Sequence, residues 1–331
     1  MFFQKDDRPV DPALMLRRLS STKRILWPIL ILTSFALLLF LSHSHSKHGR
    51  HYDLDSSPIN KSILCNNTSA VITPFNYSAF DYDEWEVQCI STVLQPWFWV
   101  CPHSIASDKH ISGSLFAMGY WEGHISTIIK QALHDHPTAG FIDLGANIGS
   151  HSLYAASLGA PTLAVEPSQL HLRALVTAVI KNGLEEKVSI IPYGLADTRR
   201  ELAFGWDEQN LGNTYVITDN NATVQFAAAG ILLDDLLPVL SFGEAILKAD
   251  MESFECVVIP ASRAFFDCLT IWLIIMEFIP SGVDPACLDR MIAFLLAKRF
   301  VAKHLAGKDL PIRDWRRRHH KWPKEILWLK T

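Results

Sequence analysis

Short apolar segments alternate with segments of helical spacing through the second half of the chain. Five apolar runs stand out: "GFIDLG", "PTLAVEP", "KVSIIPYG", "EAILKAD" and "LTIWLIIMEF". Short, nearly continuous apolar runs of this kind are typical of strands in a sheet that is covered on both faces. We therefore predict five strands, in this order along the chain.

The segments between these runs carry a helical pattern. "SQLHLRALVTAVIKNGL" places Leu170, Ala174, Val176 and Ile180 near one face and ends in Asn-Gly, and "FECVVIPASRAFF" is a second helical segment. Strands that alternate with helices form parallel sheets with crossover helices. The pattern predicts a doubly wound, Rossmann-like α/β domain.

An apolar run near the N-terminus predicts a membrane helix. Residues 25–41 contain no charge over 17 positions, which is at the short end of what spans a bilayer. The alternative is a cleaved signal peptide, but 24 residues are long for its leading region and "SHSHSKHGR" is a poor cleavage site. We favour an uncleaved signal anchor.

The charges beside this run predict its orientation. Arg17, Arg18, Lys23 and Arg24 precede it closely, whereas only Lys47 and Arg50 follow closely. The positive-inside rule then keeps residues 1–24 in the cytosol and places everything after residue 41 in the lumen. The prediction is a single-pass type II membrane protein of the endoplasmic reticulum or Golgi.

Sequons and cysteines agree with a luminal body. N-x-[S/T] triplets occur at Asn60, Asn66, Asn67, Asn76 and Asn221, and four of them fall in residues 42–80, a polar stretch that we interpret as a flexible glycosylated stem. All six cysteines follow the apolar run: Cys65, Cys89, Cys101, Cys256, Cys268 and Cys287. Chance triplets and buried free thiols are the alternatives. Residues 81–331 form the predicted globular domain.

Four of the five predicted strands end in an acid. These are Asp143, Glu166, Asp250 and Glu277. Ligands of doubly wound sheets bind beyond the carboxyl ends of the strands, so four acids there indicate a shared site. The alternative is that strand ends are simply solvated and acids are common at such positions.

The bend "DLGANIG" follows the first strand and constrains the ligand. It lacks the lysine of a phosphate-binding P-loop, and Asn147 occupies the place of the second glycine in the dinucleotide fingerprint, which weakens an oxidoreductase interpretation. Glu166 lies roughly twenty residues on, where a carboxylate accepts hydrogen bonds from ribose hydroxyls. A site that binds a ribose but no pyrophosphate fits S-adenosylmethionine, which we therefore predict as the cofactor.

The chain also resembles a known family. "FIDLGANIGSHSLYAASLGAPTLAVEP", "NGLEEKVSIIPYGLADTRRELAF", "LLDDLL" and "LKADMESFECVV" resemble, in order, motifs of the FkbM-type methyltransferases, and "GYWEGHISTIIKQAL" is similar to the helix that leads into them. The resemblance covers about residues 108–280. It implies a class I methyltransferase sheet that uses S-adenosylmethionine. Ser253 stands where the family has glycine, and Ala249 and Met251 replace aliphatic residues.

The resemblance implies a cofactor pocket whose residues can be named. Gly145 and Gly149 would let the backbone approach the methionine part, with Asn147 between them. Asp143 would hold the amino group, directly or through water, and Glu166 would bind the ribose. Asp197 would reach the adenine amine, although an exposed turn acid is an equal alternative.

Three residues at the end of the fourth strand are the catalytic candidates. Methyl transfer to an alcohol needs alignment of the reactants and a base for the proton. We expect Asp250 to be the base or to orient the acceptor, with Glu252 next in order and Lys248 holding one of them ionised. Alternatively, Asp250 caps the next helix and Lys248 is structural. Nothing in the spacing compels a metal between Asp250 and Glu277, so no metal site is predicted.

These predictions combine into one function. We expect a secretory-pathway methyltransferase that transfers a methyl group to a hydroxyl, with a glycan as the first choice of acceptor. The basic and aromatic tail, residues 314–331, resembles nucleic-acid binders, but that partner is absent from a lumen, so a glycan contact or a last strand at "EILWL" is favoured. The rival hypothesis is a catalytically inactive binding protein with the methyltransferase fold, which Ser253 supports.

Overall fold

The computed structural model describes residues 72–79, 87–219 and 222–331. Those from 72 to 305 and from 309 to 331 belong to one compact unit, to which everything below refers. The predicted membrane anchor, most of the predicted stem and Asn221 lie outside the described residues. Among the helices that are described, none has the length and apolar character needed to cross a bilayer.

Thirteen strands and eight α-helices are present in the described residues. The strands are Ile90–Ser91 (β1), Trp99–Val100 (β2), Gly140–Leu144 (β3), Thr162–Val165 (β4), Val188–Ile191 (β5), Gly194–Leu195 (β6), Arg200–Asp207 (β7), Asn210–Val216 (β8), Phe226–Ile231 (β9), Glu244–Ala249 (β10), Thr270–Glu277 (β11), Phe300–His304 (β12) and Glu325–Lys330 (β13). The α-helices are Ile111–Met118 (α1), Gly123–Asp135 (α2), Ser150–Ser157 (α3), Gln169–Asn182 (α4), Glu255–Ala261 (α5), Arg263–Cys268 (α6), Pro285–Ala297 (α7) and Trp315–Arg318 (α8). Short 3₁₀ helices occupy Tyr77–Ala79, Leu233–Val239, Ile312–Asp314 and His319–Lys321.

The main sheet has seven strands in the order β12-β13-β11-β10-β3-β4-β5. The five strands predicted from the sequence are its parallel part, since β11, β10, β3, β4 and β5 all pair in parallel. The predicted last strand at "EILWL" is confirmed as β13, which pairs antiparallel with both β11 and β12 and makes the sheet mixed. The prediction of a doubly wound sheet is confirmed.

Helices cover both faces of this sheet. Apolar side chains of α5, α6 and α7 pack on one face, and those of α3 and α4 pack on the other. Neighbouring strand residues face opposite sides: Leu163 and Val165 belong to the first cluster and Ala164 to the second. This explains the continuous apolar runs, because most positions of the five parallel strands are buried on one side or the other.

The predicted helices are present, with one difference. The segment ending in Asn-Gly is α4, and Gly183 follows it at φ +63°, the left-handed conformation that ends many helices. The second segment is two short helices, because Pro260 removes a backbone donor and Ser262 at φ −104° breaks the run.

A second sheet was not foreseen. Residues 194–231 form four strands in the order β6-β9-β7-β8, mostly antiparallel. The β8 strand is only half-buried along its whole length, so it lacks the apolar run on which the sequence predictions depended. This sheet matters for function because β8 contributes five residues to the wall of the cavity described below.

The described cysteines are all in disulfide bonds. Cys89 pairs with Cys101 across the β1–β2 hairpin, and Cys256 pairs with Cys287 between α5 and α7. Cys268 is also disulfide-bonded. For these five residues the free-thiol alternative is therefore wrong.

Candidate functional site

A cavity of about 490 Å³ opens at the carboxyl ends of the parallel strands. Its wall includes Gly145 after β3, Glu166 after β4, Asp250 after β10 and Glu277 at the end of β11. The chain runs from β3 outward to β5 on one side and returns through β10 to β11 on the other. The cavity therefore lies where the strand order reverses, the usual ligand site of doubly wound sheets.

Gly145 is required at its position by two independent constraints. Its φ is +80°, and a Cβ added there would lie 1.9 Å from the carbonyl oxygen of Asp250. The two loops are also joined by a hydrogen bond from the Asp250 amide to the Leu144 carbonyl, at 3.0 Å. The glycine thus allows the loops after β3 and β10 to touch on the floor of the cavity.

The other predicted glycine has a different role. Gly149 also has a positive φ, +82°, but a Cβ there would lie 2.2 Å from Cδ1 of Leu175 in α4. It does not line the cavity. The expectation that Gly149 approaches the ligand is therefore wrong: the glycine lets α3 and α4 pack closely, a need that local sequence does not reveal.

Asn147 replaces a glycine and adopts a left-handed conformation, φ +54°. Asparagine tolerates this conformation better than most residues. Its side-chain Nδ2 donates to the Gly212 carbonyl of β8 at 3.1 Å, and its Oδ1 accepts from the Ile148 amide at 2.8 Å. The residue therefore lines the cavity, as predicted, and fastens the second sheet to the loop after β3.

Glu166 is buried in the wall and held by three donors. Its Oε2 accepts from the Asn147 amide at 2.8 Å. Its Oε1 accepts from the Ser168 amide at 2.9 Å and from Nδ1 of His171 at 3.2 Å. The side chain is fixed at the position predicted for the ribose-binding acid. The contribution of His171 was not foreseen.

Asp143 is in the site but behind its surface. It is 1% exposed and does not line the cavity. Its Oδ2 accepts from Oγ of Ser152 at 2.7 Å, while Oδ1 lacks a hydrogen bond and lies 3.9 Å from Nζ of Lys248. Burial raises the pKa of this carboxyl. Asp143 therefore reaches a ligand amino group only from behind the cavity surface, and its predicted role, directly or through water, stays a prediction.

Lys248 and Asp250 form the ion pair predicted from their spacing. The Nζ to Oδ2 distance is 2.8 Å. Burial alone would lower the pKa of Lys248, but the carboxylates of Asp250, Asp143 and Glu122 raise it above its ordinary value. Lys248 therefore stays charged, and it holds the Asp250 side chain in an ion pair.

Asp250, Glu252 and Glu277 form an acidic trio. One carboxylate oxygen from each lies within 4.8 Å of the others. Burial, with the nearby Asp250 charge adding to it, raises the pKa of Glu252 to about 8 and that of Glu277 to about 9. Such groups hold protons near neutral pH. Oxygens at this spacing also suit a hard cation, but an acidic cluster alone does not establish a metal site.

The loop after β10, which carries Asp250 and Glu252 of the trio, is strained. Glu252 has φ +51° and Ser253 has φ +71°, so two consecutive residues other than glycine are left-handed. A buried carboxylate holds the loop, since Oε1 of Glu255 accepts from the Met251 amide at 2.6 Å. Ser253 therefore occupies a position where glycine would be free of strain, which explains the glycine of the FkbM-type motif. The serine retains the left-handed conformation.

A buried pair that was not foreseen lies in the same wall. Glu122 begins α2 at φ +41°, and its Oε2 lies 3.0 Å from Nε2 of His151 in the first turn of α3. Burial tends to raise the pKa of Glu122, but the hydrogen bond and charge of His151 hold it below its ordinary value. Only the fold brings these two residues together, since 29 positions separate them.

Asp197 lies outside the site. It does not line the cavity, it is 42% exposed, and its Oδ1 lies 3.1 Å from Nη1 of Arg200. The exposed turn acid, which the sequence left as the equal alternative, is the observed state. Tyr193, Leu195 and Phe204 line the cavity instead, so the wall there is apolar.

The cavity wall is strongly acidic. Among the described residues that line it, six are carboxylates: Glu122, Glu166, Asp250, Glu252, Glu277 and Glu325. Two are lysines, Lys248 and Lys324, and none is arginine. Glu252 and Glu277 hold protons near neutral pH, but the other four carboxyl groups still outnumber the two lysines, so the wall attracts cations and repels phosphate groups.

Sequence comparisons give no match: neither the known protein families nor the curated proteins contain a significant relative. Solved structures share part of the fold. An O-methyltransferase from Bacillus cereus in complex with SAH has a TM-score of 0.37 and 12% identity over 62% of this chain and 80% of its own.

Two further structures are comparably distant. TomG, an O-methyltransferase from Streptomyces achromogenes in complex with SAM, has a TM-score of 0.38 and 10% identity over 70% of this chain and 92% of its own. Precorrin-6y C5,15-methyltransferase from Geobacter metallireducens has a TM-score of 0.34 and 11% identity over 62% of this chain and 89% of its own. Likeness this remote does not assign a function, which has to come from the site.

Proposed function

We propose that this chain is an S-adenosylmethionine-dependent methyltransferase whose acceptor is a hydroxyl group. The observation that carries the proposal is the cavity wall at the point of strand reversal, where four carboxyl groups besides the protonated Glu252 and Glu277 outnumber two lysines. A nucleotide with a pyrophosphate would meet a negative potential there. S-adenosylmethionine has a ribose, a flat aromatic base and a sulfonium cation, and it has no phosphate.

The residues present fit this cofactor. Glu166 offers a fixed carboxylate to the ribose, and Tyr193, Leu195 and Phe204 offer an apolar wall to the base. Gly145 keeps the floor free of side chains.

The cofactor supplies a methyl group on a sulfonium, which leaves as a neutral thioether when the acceptor oxygen bonds to the methyl carbon. The protein aligns the reactants and takes the hydroxyl proton. Asp250 is held in an ion pair, with its Oδ2 2.8 Å from Nζ of Lys248, and this fixed carboxyl group suits orientation of the acceptor. Glu252 is the stronger candidate, since a pKa of about 8 lies near physiological pH. We therefore assign proton removal to Glu252 and acceptor orientation to Asp250.

The setting we propose is the lumen of the secretory pathway, with the chain anchored by residues 25–41 and a glycan as acceptor. Five disulfide-bonded cysteines support an oxidising compartment, and the sequon residue Asn76 is exposed. The acidic wall favours a neutral sugar hydroxyl over a sulfated or carboxylated glycan. Membership of the FkbM-type family is part of the same proposal and rests on the motifs quoted above.

Calorimetry with the purified chain in detergent tests the cofactor. We expect S-adenosylhomocysteine to bind and NAD to bind far more weakly. Glu166→Ala removes a charge-assisted hydrogen bond to the ribose, so affinity should fall by roughly tenfold or more. Asp197→Ala is the matched control and should bind like the unaltered chain. Equal binding of NAD would contradict the proposal.

Mass spectrometry of glycans from cells with and without the protein tests the reaction. We expect sugars that gain a methyl group when the chain is present. Removal of N-glycans with a glycosidase should increase the gel mobility of the protein, and unchanged mobility would rule out the luminal setting. Cofactor binding without any methylated glycan would favour the rival hypothesis of an inactive binding protein.

A further inference from the structure

The segment 313–324 is strongly basic in a chain whose formal net charge is −4. It contains one acid, Asp314, and six cations, so its own net charge is +5. The six cations are all exposed: Arg313, Arg316, Arg317, Arg318, Lys321 and Lys324. A local charge of this size, opposite in sign to that of the whole chain, indicates an anionic partner.

Most of these cations have no acidic partner within the protein. Arg316 is paired, since its Nη2 lies 2.5 Å from Oδ2 of Asp289. The other five form no ion pair with any residue that the structure describes, and we call them the basic rim: Arg313, Arg317, Arg318, Lys321 and Lys324. Guanidinium groups bind planar anions such as carboxylates through paired hydrogen bonds. The basic rim is therefore available to an anionic ligand.

Aromatic packing fixes the basic rim beside the acidic trio. The ring of Phe278 packs against those of Trp315 and Trp322, with centroid distances of 6.2 Å and 5.9 Å. Phe278 directly follows Glu277 of the trio, and its amide donates to the Lys324 carbonyl. Lys324 itself lines the cavity. The basic rim therefore begins in the cavity wall at the trio and continues over the surface outside it.

The opposite charges of wall and rim select the class of partner. The preference of the acidic wall for a neutral sugar applies to the unit that enters the cavity. The basic rim requires anionic groups on the units that remain outside. A polysaccharide in which charged and uncharged sugars alternate has both. A nucleic acid carries a phosphate on every unit, so it has no uncharged unit for the cavity.

We propose that the basic rim binds the charged units of the acceptor, an anionic polysaccharide in which uncharged sugars alternate with charged ones. The proposal rests on the hydroxyl methylation proposed above and narrows the class of its acceptor. Binding of the charged units at the rim places a neighbouring uncharged sugar at the trio. The rim also attracts the polysaccharide from solution, an effect that salt weakens.

The test is fluorescence anisotropy of a labelled hyaluronan decasaccharide with the purified full chain in detergent. This probe alternates a carboxylated sugar with an uncharged one. The unaltered chain should bind it, and the double variant Arg317→Gln/Arg318→Gln should bind it roughly fivefold or more weakly. Lys130→Gln/Lys187→Gln is the matched control, since both lysines are exposed and neither lines the cavity. Equal weakening in both double variants would overturn the rim, because total charge alone would explain it.

Lys324→Gln tests whether the bound polysaccharide reaches the cavity. We expect this variant to bind the probe about twofold to fivefold more weakly. Unchanged binding in Lys324→Gln would overturn the acceptor role, because the partner would then stop short of the wall. If the Arg317→Gln/Arg318→Gln variant does not fold, Arg313→Gln/Lys321→Gln removes the same charge from the rim and should weaken binding similarly.

Two competitors separate a polysaccharide from other anionic partners. Single-stranded DNA of equal charge should displace the probe only at higher concentration than unlabelled hyaluronan does. Phosphatidylserine added to the detergent micelles should not displace it. Tighter binding of DNA would assign the rim to nucleic acid, and displacement by the lipid would assign it to an anionic membrane surface. Either result would overturn the proposal.

Calorimetry with S-adenosylhomocysteine separates this inference from the proposed function. The cofactor product should bind the Arg317→Gln/Arg318→Gln variant and the unaltered chain equally, because the rim lies outside the nucleoside end of the cavity. A chain that binds S-adenosylhomocysteine but not the decasaccharide would contradict this inference alone. A chain that binds neither the cofactor nor its product would contradict the proposed function, and the acceptor role of the rim with it.

Discussion

The two ends of the cavity differ in how their acidic side chains are held. At the end formed after β3 and β4, Glu166 is buried and each of its oxygens accepts a hydrogen bond. At the end formed after β10 and β11, the acidic trio combines a left-handed Glu252, a buried Oε2 of Glu277 without a hydrogen bond, and pKa values of about 8 and about 9.

This difference separates binding from chemistry. A buried carboxylate whose hydrogen bonds are satisfied is fixed in place and lowers the stability of the fold little. It can therefore recognise a ligand of constant shape. Strained backbone lowers stability, and so does the burial that raises the pKa of a carboxyl group. Such features persist where a reaction uses them. The nucleoside end is therefore expected to control affinity, and the acidic trio is expected to control turnover.

The largest expected effect tests the reactive end. Glu252→Gln keeps the size of the side chain but cannot take a proton, so turnover should fall by a factor on the order of 10² to 10⁴. Cofactor affinity should not change, because its contacts come from other strands. The measurement is the amount of methylated glycan in cells, paired with calorimetry of the purified variant.

Asp250→Asn is the companion variant for this prediction. It should reduce turnover less than Glu252→Gln and lower stability by about 1–3 kcal/mol, because the buried Lys248 loses its closest partner. If Asp250→Asn instead abolishes turnover in a stable protein while Glu252→Gln is active, the base is Asp250.

The next largest effect tests the contact between the two ends. Gly145→Ala would place a Cβ 1.9 Å from the Asp250 carbonyl oxygen at a φ of +80°. We expect a loss of about 3 kcal/mol of stability, measured by chemical denaturation, and weaker cofactor binding as well. Gly282→Ala is the matched control, with φ +83° and no atom within 4 Å of the added Cβ. Equal losses in both variants would mean that backbone strain, not the contact, makes Gly145 necessary.

A smaller effect appears in the pH dependence of stability. The pKa of Glu277 is raised from 4.5 to about 9, chiefly by burial. The folded state therefore holds this proton more tightly than the unfolded state does. Its contribution to stability is complete below pH 4.5 and is lost as the pH rises to about 9.

Glu277→Gln should remove this contribution. We expect the free energy of unfolding of the variant to change less between those pH values than that of the unaltered chain, measured by denaturation at several pH values. The exposed Glu201→Gln is the control and should follow the unaltered chain. A slope that stays the same in Glu277→Gln would contradict a buried, protonated Glu277.

The smallest effect concerns the strained loop. Ser253→Gly should raise stability by about 0.5–1 kcal/mol, because glycine adopts a φ of +71° without strain. The control is Ser189→Gly in the extended strand β5, which should lower stability instead of raising it. A destabilised Ser253→Gly would show that the serine side chain, whose Oγ lies 3.4 Å from the Ile279 carbonyl oxygen, contributes more than the strain costs.

Sequence reasoning found the elements whose signals are local. The five parallel strands, α4 with its Gly183 end and the positions of Glu166 and Asp250 follow from apolar runs and their last residues. It missed the second sheet, because the half-buried β8 has no apolar run. It also placed Gly149 and Asp197 in the site, because a motif gives the order of residues and not the direction in which each one faces.

What the sequence determined by itself is the doubly wound sheet, the Gly145 bend and the acids at the strand ends, because each depends on residues a few positions apart. The tertiary structure alone decided which acids have raised pKa values, which donors hold Glu166 and which glycine lies against Asp250. Those properties depend on burial and on distances between residues far apart in the chain. Glu252 and Glu277 are 25 positions apart, yet their pKa values are raised because folding removes both from water beside Asp250.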